Sequence, residues 1–145
     1  MKKLLNLSLA TVAAFSLTAC VSSSTPSIES ALKEDLKTVC SVEKSGIENV
    51  IATAKQYNEV AKAKHLEFRR LDVNNSDLII SVEEAIKTGA KEVNPNDFKG
   101  KPSKTKLATD YAAERACRFA ISALIQADEG KKTWRLSVPG DGFKY

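Results

Sequence analysis

Apolar residues recur at helical spacing in several stretches of the chain. The first stretch follows Pro26 and predicts a helix that ends near Cys40; its apolar positions are Ile28, Leu32, Leu36 and Val39. The second predicts one long helix from about Ser45 to Leu71; its apolar positions are Ile47, Val50, Ala54, Tyr57, Ala61, Phe68 and Leu71. The end of this helix is open, because Leu66, Phe68 and Arg70 also fit a strand.

Two further helices follow a polar segment. Residues 72–77 have the composition of a turn, and the apolar positions from Leu78 to Ile86 predict a short helix that ends at Gly89. After a loop rich in Asn, Pro and Lys, a fourth helix is predicted from about Thr105 to Glu129, ended by Gly130. Its apolar arc is wide and consists mostly of alanine, which permits close approach between helices. We therefore expect the fourth helix to lie at the centre of the domain.

Near the C-terminus, apolar residues occur at every second position instead of at helical spacing. Trp134, Leu136 and Val138 alternate with polar residues, and a Pro-Gly-Asp-Gly turn precedes Phe143 and Tyr145. This pattern predicts a short strand or a small hairpin. The two final aromatic residues either close the edge of the core or dock into a partner. The predicted fold class is mainly α: a small helical domain of about four helices with a short C-terminal strand or hairpin.

The N-terminus has the pattern of a targeting segment. Lys2 and Lys3 precede an apolar stretch from Leu4 to Leu17. As a helix this stretch would span about 21 Å, which is shorter than the roughly 30 Å hydrocarbon core of a bilayer. It is therefore typical of a cleavable signal peptide. The residues Leu17-Thr18-Ala19-Cys20 follow it directly.

This segment resembles the lipobox of bacterial lipoproteins. The resemblance implies cleavage before Cys20, attachment of diacylglycerol to its thiol, and further acylation with a fatty acid such as palmitate. Val21 after the cysteine implies an outer-membrane destination facing the periplasm. The predicted organisation is a signal peptide over residues 1–19, a lipidated cysteine with a Ser-rich tether over 20–26, and a single domain over 27–145. The alternative is an ordinary secretory signal with a chance cysteine.

The charges of the chain are nearly balanced. Of 22 Lys and Arg side chains, Lys2 and Lys3 belong to the signal, and the other 20 face 18 Asp and Glu. This balance and the expected compartment argue against nucleic acid as a partner. The densest basic run contains Lys99, Lys101, Lys104 and Lys106. It is interpreted as a solvated loop, with contact to anionic lipid headgroups as the alternative.

Cys40 and Cys117 are the cysteines that remain after Cys20. In an oxidising compartment we expect them to form one disulfide. The alternative is a pair of buried free cysteines. No Cys-x-x-Cys motif is present, so the sequence does not support a thioredoxin-like redox role.

The segment from Asp72 to Glu83 resembles an EF-hand calcium loop. The resemblance implies oxygen ligands for Ca²⁺ from Asp72, Asn74, Ser76, the Leu78 carbonyl and Glu83. Asp77 stands where the family has glycine, and Ile80 cannot hold the bridging water. Such a site would be weak, with a dissociation constant of about 10⁻⁴–10⁻³ M. The alternative is a polar connection in which Ser76 or Asp77 caps a helix.

No sequence motif for catalysis is found, and His65, the one histidine, is interpreted as a surface residue. We therefore expect a non-enzymatic lipoprotein that has no resident cofactor and that binds or supports another envelope component, such as an envelope protein. One alternative is a calcium-binding protein with a degenerate EF-hand loop. Another is an inhibitor or immunity protein that blocks an enzyme acting in the periplasm.

Overall fold

The computed structural model describes residues 26–134, which form a mainly helical domain, as predicted. Within this range there are six helices and two small antiparallel strand pairs. The signal peptide, Cys20 and most of the tether lie outside the described residues. The elements, in order, are α1 Ile28–Ala31, α2 Leu36–Val39, α3 Val42–Ser45, α4 Ile47–Ala63, β1 Arg69–Arg70, β2 Val73–Asn74, α5 Asn75–Thr88, β3 Glu92–Val93, β4 Leu107–Ala108 and α6 Thr109–Thr133.

The prediction of one helix up to Cys40 is wrong, because two short helices, α1 and α2, occupy this region and a third, α3, follows it. Ser27 and Ser30 form a reciprocal capping box that begins α1. The Asp35 side chain accepts a hydrogen bond from Lys37 N and begins α2 as a separate helix. Gly46, at φ +78°, separates α3 from α4. Polar side chains that cap locally therefore divide a region whose apolar spacing is continuous.

The long helix α4 ends at Ala63, eight residues before the predicted end at Leu71. His65 follows in the left-handed region at φ +57°, and Leu66 N returns a hydrogen bond to Ala61 O. The chain then continues into β1. Because β1 and β2 pair Arg70 with Val73, only Leu71 and Asp72 connect them. The alternative of a strand near Arg70 is the one that the structure supports.

Helix α5 begins inside the segment predicted as a turn. Asn74 is its N-cap, and Asn75 to Asp77 are already helical. Its predicted end is confirmed, because Gly89 adopts φ +70° and caps the helix in the left-handed conformation. The segment from Asn94 to Lys106 connects β3 to β4, as the prediction of a loop requires.

Helix α6 is shifted relative to its prediction. It begins at Thr109, because Leu107 and Ala108 pair with β3 instead. It continues through Gly130 to Thr133, so glycine does not end it, and Trp134 has helical backbone angles rather than those of the predicted strand. The rest of the predicted C-terminal strand or hairpin, including Leu136, Val138, Phe143 and Tyr145, lies outside the described residues.

The core lies between α4, α5 and α6, with α4 and α6 in the most extensive contact. Small side chains on both helices allow this approach, among them Ala54, Ala61, Ala112, Ala116 and Ala120, all fully or almost fully buried. The central position predicted for the fourth helix is confirmed. No helix within residues 26–134 is long and apolar enough to cross a membrane.

Candidate functional site

The turn between β1 and β2 is exposed and conformationally unusual. Leu71 and Asp72 lie at φ +51° and +64°, the pattern of a two-residue type I′ turn. Asn and Gly are the residues that favour this turn, whereas a leucine in the left-handed region costs about 1–2 kcal/mol. Leu71 is nevertheless 71% exposed. An apolar side chain in strained backbone at an exposed turn points to a role outside the core.

The lysine-containing loop packs against this turn. Phe98 N donates a hydrogen bond of 2.8 Å to Asp72 O. The guanidinium of Arg69 lies 5.2 Å from the centre of the Phe98 ring, and the ammonium of Lys99 lies 5.4 Å from it. Asp97 Oδ1 accepts hydrogen bonds from the backbone nitrogens of Lys99 and Lys101. The loop is therefore held in a defined conformation beside Leu71.

Helix α6 supplies the third part of the site. Phe119 stacks on Phe68 with ring centres 4.3 Å apart, and the Arg115 guanidinium lies 5.0 Å from the Phe119 ring centre. This stack fixes Arg115 beside the hairpin. An open depression of about 590 Å³ results, lined among others by Leu71, Lys104, Lys106, Leu107 and Arg115.

Seven cationic residues belong to the three segments that form the turn and the depression, and Lys104, Lys106 and Arg115 line the depression itself. We call this set the basic surface; it consists of Arg69, Arg70, Lys99, Lys101, Lys104, Lys106 and Arg115. Among residues 26–134, none of the seven forms an ion pair; of the four ion pairs present, the one between Arg118 and Glu114 lies next to Arg70 and Arg115. Asp72 and Asp97 are the acidic side chains that line the depression. The seven cations outnumber these two carboxylates, so the face carries an excess of positive charge.

A buried polar network holds the hairpin and α5 against the other helices. Asn75 Nδ2 donates to Asn58 Oδ1 and to the Ala116 carbonyl, each at 3.0 Å. Asn58 Nδ2 and Ser76 N both donate to Glu67 Oε1. Burial disfavours the charged form of Glu67, but hydrogen bonds from Ser76 and Asn58 outweigh it and lower the pKa of this carboxyl. The network therefore fixes the start of α5, and with it β2, in position.

A small cavity lies beneath the basic surface. Arg70, Asn75, Leu78, Arg115 and Phe119 are among its lining residues, and its volume is about 10 Å³. Asn75 Oδ1 is buried without a hydrogen-bond partner in the described part of the chain. A cavity of about this size holds one water molecule. The cavity has room for one water-sized group, whereas the open depression has room for a ligand group.

The five residues of the EF-hand hypothesis occupy different structural positions. Asp72 lies in the β-turn, and Asn74 caps α5, where it donates to Asp77 Oδ2. Ser76, Leu78 and Glu83 lie within α5, and Glu83 accepts from Lys55 Nζ at 2.7 Å. Within residues 26–134, His, Cys, Asp and Glu side chains form no group of three that could hold a metal ion. Ligation by the Leu78 carbonyl would require α5 to unwind, and the calcium hypothesis stays a prediction.

The predicted disulfide between Cys40 and Cys117 is confirmed. Both residues are fully buried, and the bond joins the end of α2 to the middle of α6.

Cys20 lies outside the described residues, so its lipidation stays a prediction. His65 is exposed, as expected.

The sequence indicates the lysines of the basic surface as a dense basic run but gives no sign of its arginines. Arg69 and Arg70 lie within the helix predicted from Ser45 to Leu71, and Arg115 lies within the predicted fourth helix, so no pattern in the sequence brings them together with the lysines. The signal for the hairpin was weak, because Leu-Asp is not a typical type I′ pair.

Comparison of the chain with protein-family models, with curated proteins and with solved structures gives no match.

Proposed function

We propose that this chain is a lipid-anchored, non-enzymatic protein of the bacterial cell envelope that binds another envelope component through the basic surface. The observation that carries the proposal is that seven cationic residues without ion pairs belong to the three segments that form the turn and the depression, where they outnumber Asp72 and Asp97. The total charge is nearly balanced, so this concentration is not a consequence of composition. A local excess of one sign attracts a partner of the opposite sign.

The lipobox at Leu17-Thr18-Ala19-Cys20 supports the membrane anchor. Diacylglycerol together with a further acyl chain holds a protein stably on a bilayer, whereas a single chain does not. The buried disulfide supports the same compartment, because such bonds persist in oxidising surroundings such as the periplasm. We place the protein at the outer membrane, facing the periplasm. Nucleic acid is not a partner in this proposal.

The anchor is tested by purifying the full-length protein from membranes and determining the mass of its N-terminal peptide. We expect a mature chain that begins at lipid-bearing Cys20, and no lipid adduct in the variant Cys20→Ala. A mature N-terminus at another residue, with an unmodified Cys20, would contradict the anchor.

The binding role is tested with isolated envelope membranes and the mature chain, residues 21–145, without lipid. The core and the disulfide lie within residues 26–134, so this chain retains both. We expect the unaltered chain to sediment with the membranes. The double variant Lys104→Glu with Lys106→Glu should bind to them more weakly. The matched control is Lys33→Glu with Lys87→Glu, which makes the same charge change at exposed positions outside the basic surface. Equal loss in both variants, or no binding by the unaltered chain, would refute the role.

A further inference from the structure

We infer that the partner of the basic surface is the anionic headgroup region of a phospholipid bilayer, into which Leu71 and Phe98 insert. This inference rests on the proposed function and names the partner of the same site. Its first support is the pair of exposed apolar side chains at the turn, Leu71 and Phe98. Leu71 is 71% exposed and Phe98 is 46% exposed, and the hydrogen bond from Phe98 N to Asp72 O holds Phe98 at the turn that contains Leu71. An exposed apolar pair within a basic surface is the arrangement of an interfacial membrane contact.

The second support is the kind of cation. Four of the seven side chains are lysines, and lysine is depleted at protein–protein interfaces, where arginine is enriched. Lysine side chains suit a bilayer surface, because their apolar stems can lie along the lipid while the ammonium stays at the headgroups. Clusters of Lys and Arg beside an anchor are attracted by anionic lipid. The composition therefore favours lipid over an acidic protein segment.

The third support is the strained turn. The backbone of Leu71 adopts a conformation that asparagine or glycine would adopt at lower cost, and its side chain gains little burial in the domain. Stability of the fold does not explain leucine here, whereas insertion of an apolar side chain into the interface does. Asp72 and Asp97 oppose the contact, but the seven cations of the basic surface outnumber them.

The geometry also fits a protein that is already tethered. Residues 20–27 separate the proposed lipid from the start of α1, which limits the reach of the domain to about 28 Å. The domain therefore stays near the bilayer, and a weak contact is enough to orient it there. Docking through the basic surface would hold the domain in one orientation on the membrane.

The test uses the mature chain without lipid and sedimentation with protein-free vesicles. One set contains phosphatidylglycerol with phosphatidylcholine, and the other contains phosphatidylcholine alone. We expect binding to the anionic set only, weakened by raised salt because the attraction is screened. Lys104→Glu with Lys106→Glu should weaken binding by about 25-fold or more, since each lysine near an anionic surface contributes about fivefold. The control pair Lys33→Glu with Lys87→Glu should change it far less.

Leu71→Asn separates insertion from folding. Asparagine tolerates the left-handed turn, so the melting temperature should be equal or higher, while binding to anionic vesicles should fall about tenfold. Unchanged vesicle binding by this variant would overturn the insertion of Leu71. Binding to envelope membranes without binding to anionic vesicles would overturn lipid as the partner and leave the proposed function standing with a protein partner. Failure to bind either envelope membranes or anionic vesicles would overturn both this inference and the proposed function.

Discussion

Asn75 Nδ2 donates a hydrogen bond of 3.0 Å to Asn58 Oδ1 between α5 and α4, and both side chains are 1% exposed. The same amide group bonds the Ala116 carbonyl of α6, so one side chain joins the three largest helices. A buried polar group is favourable only when it has partners, and removal of one partner leaves the others unsatisfied. The arrangement therefore specifies how α5, and the hairpin before it, sits on the core.

Replacement of Asn75 should consequently destabilise the domain. Asn75→Ala leaves Asn58 Oδ1 and the Ala116 carbonyl without this donor, so we expect the free energy of unfolding to fall by about 2–3 kcal/mol. Urea denaturation of the mature chain measures it. The exposed Asn96→Ala is the control and should change stability by less than about 0.5 kcal/mol. Equal stability of the Asn75 variant and the unaltered chain would contradict the role of the network.

Glu67 should make stability depend on acid pH. Its pKa in the folded protein lies below the ordinary 4.5, so the unfolded chain takes up the proton first as the pH falls. The contribution of Glu67 is therefore fully present above pH 4.5 and is lost as the pH falls through the folded pKa.

We expect Glu67→Gln to lower the melting temperature at pH 7 and to make a smaller difference at pH 3. Thermal melts across this range, with the exposed Glu92→Gln as the control, measure the effect. A constant difference between Glu67→Gln and the unaltered chain at all pH values would show that the carboxylate charge is not involved.

The disulfide should contribute strongly to stability. It joins residues separated by 77 positions, and restriction of the unfolded chain then contributes about 4.5 kcal/mol. We expect reduction, or Cys40→Ser with Cys117→Ser, to lower the melting temperature by about 10 °C or more. Alkylation of the unreduced, unfolded mature chain should find no free thiol. Two free thiols and an unchanged melt in reductant would contradict the bond.

Calcium should not stabilise the domain. Ser76, Leu78 and Glu83 lie in α5, and Glu83 already pairs with Lys55, so binding would need both to be disrupted. We expect equal melting temperatures in excess EDTA and in millimolar Ca²⁺. The opposite result, a rise in calcium that Glu83→Gln abolishes and Glu84→Gln retains, would establish the EF-hand hypothesis.

The sequence determined the helical character of the domain and the pairing of its two cysteines. Ala112, Ala116 and Ala120 recur at helical spacing, and burial of that face follows directly from the hydrophobic effect. With Cys20 assigned to lipid, Cys40 and Cys117 had no other partner in the chain. Such features depend on periodicity and composition, which a sequence contains in full.

Tertiary structure decided where the elements end and what the basic surface contains. Residues 64–71 belong to the predicted helix, yet pairing of Arg70 with Val73 and the contact of Phe68 with Phe119 give a hairpin instead. Contacts across long sequence separations outweigh local preference here, because burial and cross-strand hydrogen bonds exceed the small differences in helix propensity. The same contacts bring Arg69, Lys104 and Arg115 to one face. Their spacing along the chain carries no signal of that proximity, since only folding sets the distances between segments.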